Sequence, residues 1–209
     1  MKRGKFFEWS LLAAVLVSVL VMVANAQSCF THISESVLRL HVRADSDSSA
    51  DQAVKLMVRD EVLKRTGGLL DGVTDRDEAA EILRENLALF EQTANETLAE
   101  HNMPYRARAV FDTEYFPTRQ YGELTLPAGR YEALVVELGS AEGQNWWCVM
   151  FPTLCYTQDL VTADDGSLDY LRETLSEEEF DLVAGDAEVK TTYKFKLIEW
   201  LNDLKEQLF

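Results

Sequence analysis

The sequence predicts an α+β protein: an antiparallel sheet of about four strands packed against two long helices, with a C-terminal amphipathic helix. Three observations carry this prediction. Period-two patterning of apolar residues recurs in separated segments, as strands require. Two stretches with apolar residues at helical spacing stand between the first of those segments and the rest. The tail from Tyr193 carries Leu197, Trp200, Leu201, Leu204 and Leu208, a broad apolar helical stripe that has to find a sheet to pack on.

A chain of 209 residues suits one domain with its own core. At 47% apolar and 27% charged residues, with four prolines, the composition is that of a globular protein. The net charge of −16 repels phosphate backbones and anionic headgroups, which argues against nucleic acid as a partner.

The first 26 residues read as an export signal. Lys2, Arg3 and Lys5 form a basic start, Leu11 to Ala24 is uncharged and mostly apolar, and Ala24-Asn25-Ala26 places small residues where a signal peptidase reads. The expected organisation is therefore a signal segment at 1–26 and a single exported domain at 27–209. An uncleaved N-terminal anchor would leave the same domain outside but tethered. Cys29 follows closely, but Gln27-Ser28 before it lacks the small apolar pattern of lipid attachment. Loss of residues 1–26 removes Lys2, Arg3, Lys5 and Glu8, so the remaining domain is more acidic still.

In the domain, Leu38, Leu40 and Val42 alternate with Arg39, His41 and Arg43, a half-buried strand. Its basic face on so acidic a chain is either a contact strip or a solvated face balanced by carboxylates. Asp45-Ser46-Asp47 begins like a calcium loop but has Ala50 and Leu56 where that loop needs Gly and Glu. The turn reads instead as a helix start: Ser49 with Gln52 fits a capping box, and Ser48 with Asp51 a weaker one. That helix is expected to run to about Thr66 and end at Gly67-Gly68, with Ala53, Leu56 and Leu63 on the face that holds Asp60, and Lys64 pairing with Asp60. A longer helix follows from Asp75 to about His101, with Asn86 an odd polar member of its apolar face that needs a backbone partner.

Strands are expected again from Tyr105 to Phe111, running on to Phe116-Pro117, and from Arg130 to Leu138. A polar hairpin loop at 139–144 then leads to Asn145–Phe151, which is apolar on both faces. Between Ala163 and Glu188, an acidic stretch whose one base is Arg172, Ser176 with Glu179 caps a short helix.

The enzyme case is thin. His32, His41 and His101 have no zinc spacing, and nucleotide-binding and serine-hydrolase motifs are absent. No cofactor or metal and no catalytic residue is expected. A thiol nucleophile at Cys148 with His41 as base is the alternative, an exported cell-envelope hydrolase, although Cys148 sits in the most apolar strand. Export also permits disulfides. Cys148 and Cys155, with Pro152 between them, are either bonded around a bend or a buried strand thiol and an unrelated cysteine.

Several motifs together resemble one family. Ser46-Asp47-Ser48 with Asp51-Gln52 and Val58-Arg59-Asp60 come first. Phe116-Pro117-Thr118-Arg119-Gln120-Tyr121-Gly122 and Pro127-Ala128-Gly129-Arg130-Tyr131 follow. Asn145-Trp146-Trp147-Cys148 through Pro152, with Leu154-Cys155, is the most distinctive. In order and spacing these resemble the stage II sporulation protein R family from about Ser36 to Tyr156. Asp45 and Ser49 depart from the family's usual Asn and Pro. The resemblance implies a protein made in the forespore and exported into the space between forespore and mother-cell membranes. There it triggers a membrane-embedded aspartic protease that cuts the sigma-E precursor. It implies no catalytic residues and no small-molecule substrate, and membrane contact only through the signal segment or the partner. From the residues themselves, Arg39, His41, Arg43, Asp45, Ser46 and Asp47 are the expected partner-binding strip, both charge signs lying within a short span.

Placing Arg at both Leu16 and Leu20 puts charge into the apolar run and is expected to abolish export, scored by fractionation of the expressed chain. Undiminished export of that variant contradicts the signal assignment.

Overall fold

Leu38, Leu40 and Val42 alternate with Arg39 and His41, yet all five side chains are buried, because the first strand lies inside the sheet and is covered on both faces. The computed structural model describes residues 2–122, 124–152 and 166–184. In chain order the elements are α1 (Lys2–Glu35), β1 (Leu38–Arg43), α2 (Ser49–Leu69), α3 (Arg76–Glu85), α4 (Leu87–Glu100), β2 (Ala107–Phe116), β3 (Arg119–Tyr121), β4 (Leu124–Leu126), β5 (Gly129–Leu138), β6 (Asn145–Phe151), α5 (Ser167–Thr174) and α6 (Glu177–Ala184). The main sheet has the order β2-β5-β1-β6, and β3 pairs with β4 in a separate hairpin. The fold is thus α+β with a mostly antiparallel four-stranded sheet; the β1–β5 pair alone is parallel, with Arg39 opposite Ala133 and His41 opposite Val135. The C-terminal helix expected from Tyr193 lies outside the described residues.

Strands β5 and β6 are not the simple hairpin that their short connection implies. Strand β1 lies between them, so residues 139–144 bridge two strand spacings, about 10 Å, across its end. The turn leaving β1 holds that bridge. The Asp45 carboxylate accepts from the Ser140 N–H at 2.6 Å, and that of Asp47 from the Gln144 N–H at 2.7 Å. Backbone carbonyls of Ala44 and Asp45 accept from Gly143 and Glu142 at 2.9 and 3.2 Å. The chains cross so closely that a Cβ on Gly143 would stand 2.3 Å from the Ser46 carbonyl oxygen.

Helix α2 opens one residue earlier than the stronger capping box suggests. Ser48 is the N-cap and accepts from the Asp51 N–H at 3.1 Å. The Asp51 carboxylate also accepts from the hydroxyls of Ser46, Ser48 and Tyr105, at 2.5, 2.7 and 2.5 Å. The helix continues through Gly67-Gly68 to Leu69, since glycine costs a helix only about 1 kcal/mol where packing on the sheet holds it. Its buried face is Val54, Val58, Val62 and Leu63; Ala53, Leu56 and Met57 face outward, and Asp60 pairs with Arg59 rather than Lys64. The buried Lys55 keeps its charge in contact with oxygen, donating to the Gln144 carbonyl at 2.9 Å and the Gln52 amide at 2.6 Å.

The second long helix breaks at Asn86 into α3 and α4. The Asn86 amide donates to the Ile82 carbonyl at 2.8 Å, the acceptor its own N–H also uses, as short polar side chains do where helices bend or stop. Asp75 caps α3 by accepting from the N–H groups of Asp77 and Glu78, each at 2.9 Å. Asn95 and Glu91 of α4 accept from the N–H groups of Ala107 and Ala109, which occupies part of the outer edge of β2.

Two cores result. Helices α2, α3 and α4 cover one face over Leu38, Leu40, Val42, Leu134, Val136 and Met150. The other face is covered by the end of α1 (Ile33), the β3–β4 hairpin (Leu124, Leu126) and α5 and α6 (Leu171, Val183). The reciprocal capping box of α6 forms as expected, with Ser176 N–H to Glu179 at 2.9 Å and Glu179 N–H to the Ser176 hydroxyl at 3.3 Å. The same Glu179 carboxylate meets His32 of α1 at 2.9 Å. Toward the N-terminus α1 leaves the domain. Its segment Leu12–Glu35 is long and apolar enough to cross a membrane, which fits a signal sequence and export.

Gly143→Ala is expected to lower stability by about 1–3 kcal/mol, because the crossing backbone cannot retreat. Gly68→Ala, on a helix position with open space around it, is expected to hold or raise stability by up to about 1 kcal/mol. Urea unfolding of the two variants checks both signs.

Candidate functional site: an aromatic cage around Arg39

Arg39 points from β1 into the second core, where it is fully buried. A guanidinium there must keep its hydrogen bonds and find a substitute for water. Its Nε donates to the Cys148 carbonyl of β6 at 3.0 Å, and its Nη2 to the Tyr121 hydroxyl of β3 at 2.5 Å. Three rings surround its centre: Phe116 at 4.3 Å, Tyr131 at 4.9 Å and Tyr121 at 5.4 Å. Among the described residues no carboxylate pairs with it, and Nη1 has no hydrogen-bond partner. The cation is held by ring faces and neutral oxygens. Tyr131 is fixed in turn, donating to the Pro127 carbonyl at 2.6 Å. Burial pushes the pKa of both Tyr121 and Tyr131 up from the ordinary phenol value, with Arg39 opposing in each case, so both remain neutral hydrogen-bond groups.

His41 continues the stack. Its ring lies 5.6 Å from Phe116 and 5.7 Å from Trp147, nearly parallel to the latter. The Arg119 guanidinium of β3 covers Trp147 from outside, 4.3 Å from its ring. The Glu114 carboxylate stands 3.6 Å from His41 Nδ1, beyond hydrogen-bond reach, and is engaged instead by Arg43, which also meets Glu137 at 3.1 Å. Burial lowers the His41 pKa to about 4, helped by Arg43 and less by Arg39; Asn145 and Glu137 pull the other way. At neutral pH this imidazole is uncharged.

These positions correct the expected contact strip. Arg39 and His41 present no surface, because a third layer of chain, including the β3–β4 hairpin and the end of α1, sits on the face that alternation assigned to solvent. Arg43 is half-exposed and balanced by Glu114 and Glu137, carboxylates of β2 and β5. Asp45, Ser46 and Asp47 spend their side chains on the 139–144 bridge and the α2 cap.

The motif residues converge instead. Phe116 and Tyr121 build the cage, Pro127 anchors Tyr131, Trp147 stacks on His41, and Gly122 turns the hairpin with φ of +58°. Gly129 pairs with Phe116 at the end of the β2–β5 ladder, and Pro117 follows directly. Trp146 faces the opposite core, capped by Arg59 of α2 at 4.3 Å. Tyr131 stands in the sequence only as a motif residue and Glu114 is not marked at all; nothing in a single chain shows a strand tyrosine or glutamate to be the neighbour of a distant arginine or histidine.

A sequence model of the family described as stage II sporulation protein R (spore_II_R) matches residues 34–160. The stage II sporulation protein R of Bacillus subtilis (strain 168) is 32% identical over 187 residues, covering 82% of this chain and 83% of that protein. The chain belongs to the stage II sporulation protein R family. No solved structure matches it. The matched span of the family begins inside α1 and takes in every strand among the described residues, and so the whole cage.

The geometry also bears on thiol catalysis. Cys148 is opposite Leu40 and packs in the helical core, whereas His41 is opposite Trp147 in the second core, so the sheet separates them. Cys148 is disulfide-bonded. Cys155, the partner considered from the sequence, lies outside the described residues.

Between about pH 6.5 and 4 the unfolded chain binds a proton at His41 that the folded chain refuses, so stability falls as pH drops through that window. Lowering pH from about 7 to about 5 is expected to cost roughly 2 kcal/mol, and His41→Gln to remove most of that dependence. Asp51, held below the usual carboxylate range by the hydroxyls of Ser46, Tyr105 and Ser48, titrates below this interval. Equal pH slopes in the two proteins contradict the assignment.

Proposed function

We propose that this protein is an exported signal between compartments during endospore formation, activating a membrane-embedded aspartic protease that processes the sigma-E precursor. Family membership carries the reading: the match spans every described strand, and Phe116, Tyr121 and Trp147 of the motifs meet around Arg39 and His41. The N-terminal apolar helix supports export, here into the space between forespore and mother-cell membranes, with residues 1–26 as the signal segment and 27–209 as the working domain.

A messenger needs a shaped surface rather than a reaction centre, and the conspicuous polar cluster of the domain is consistent with that. Arg39 and His41 are sealed beneath rings, where a general base has no access to substrate. The rival hydrolase needs Cys148 and His41 within hydrogen-bond reach, and they occupy opposite faces of the sheet.

Co-expression of the full chain with the membrane protease and the sigma precursor in a non-sporulating host is expected to yield cleaved precursor only when all three are present. Cleavage that proceeds equally without this chain, or turnover of cell-wall substrates by the pure protein, overturns the reading.

A further inference from the structure

Among the described residues five arginines lie over aromatic rings, and their surroundings differ. Arg39 is sealed in the core. Arg59, on Trp146, pairs with Asp60 at 2.7 Å; Arg84, on Phe111, pairs with Glu132 at 2.7 Å. Arg119 on Trp147 and Arg172 on Phe180 are exposed and have no carboxylate within 4 Å among the described residues. Arg65, Arg106 and Arg108 are likewise exposed without a carboxylate within 4 Å among the described residues, so what sets Arg119 and Arg172 apart is the aromatic ring beneath each guanidinium. Both sit in the layer that covers the second core, Arg119 on β3 and Arg172 on α5.

Arg119 is the better prepared of the two. Its guanidinium lies 4.3 Å from the Trp147 ring, and Trp147 is backed by His41. The hairpin beneath is fastened by Tyr121 to Arg39. A guanidinium resting on an indole has little rotamer freedom left to lose, while the donors along its edge stay open for a bidentate carboxylate. The ligand chemistry follows from the charge balance. Polyanions such as nucleic acid or an anionic bilayer are repelled by a net charge of −16. A single carboxylate within a protein surface is matched at short range, where the local fork outweighs a field screened over about 8–10 Å.

We propose that the β3–β4 hairpin, with Arg119 on Trp147 as its anchor and Arg172 elsewhere in the same covering layer, is the docking surface for an acidic segment of the protein partner. This rests on the function proposed above and assigns its contact face. The cage then has a purpose within signalling. Arg39, Phe116 and Tyr121 position the hairpin, and the exposed edge of β3 makes the contact.

The test uses the full chain co-expressed with protease and precursor, with Arg119→Glu, Arg119→Gln and Arg172→Glu variants. Precursor cleavage, co-purification of the protease and thermal melting are read for each. Arg119→Glu is expected to reduce co-purification and cleavage by at least roughly tenfold with an unchanged melting temperature, and Arg172→Glu to reduce them less. If Arg119→Glu melts early, Arg119→Gln decides: loss of co-purification supports the surface, and wild-type co-purification overturns it. Wild-type cleavage by folded Arg119→Glu also overturns it, as does lost cleavage with undiminished co-purification, which places Arg119 after docking. If the wild-type chain itself supports no cleavage, the functional reading falls and this proposal with it.

Discussion

The burial of Arg39 in a central strand sets the terms for one whole side of the molecule. An unpaired guanidinium removed from water costs several kcal/mol, and here no carboxylate among the described residues offsets it. What offsets it is a neutral enclosure drawn from four other strands: the Cys148 carbonyl on β6, the Tyr121 hydroxyl on β3, Phe116 on β2 and Tyr131 on β5. Each partner has to be in place for the charge to be tolerated. The residue therefore ties the small hairpin, which has few hydrogen bonds of its own, to the main sheet. It also makes the second core a specified assembly rather than a loosely apolar layer.

A second constraint sits at the opposite end of β1. Because β1 is inserted between β5 and β6, their connection has to cross the chain that leaves β1. The crossing is stabilised by side chains accepting from backbone N–H groups, and glycine is needed at Gly143 because the Ser46 carbonyl stands where a side chain would begin. The Asp-Ser-Asp turn that resembles an ion loop is thereby given over to architecture. Its carboxylates replace the water that the bridge N–H groups would otherwise keep.

Much of this was legible in one dimension. The capping serines, the strand boundaries of β6, the helical spacing on either side of Asn86 and the box at Ser176 and Glu179 are local signals, and local signals survive into the structure because they concern neighbours in the chain. The motif residues were also visible as a set. What they do was not, since Phe116, Tyr121 and Trp147 meet Arg39 and His41 only through pairing across the sheet. The outward-facing Leu56 and Met57 show the same limit within a helix: a face can be drawn from spacing, but the side on which the sheet lies cannot.

The sequence by itself determined the kind of chain this is. Alternating strands, capped helices and a run of family motifs each depend on residue type and near spacing, and they establish an α+β member of a sporulation family whose N-terminal apolar helix fits a signal sequence. Only the tertiary structure decided which polar residues meet water. Period-two alternation states that Arg39 and His41 share a face, and it states nothing about whether another layer covers that face. That depends on strand order, on β1 lying between β5 and β6, and on a hairpin some 80 residues away in the chain folding over it. Burial is a property of the whole assembly, which is why Arg39 and His41, read as surface, are core while Arg43 keeps partial access to water.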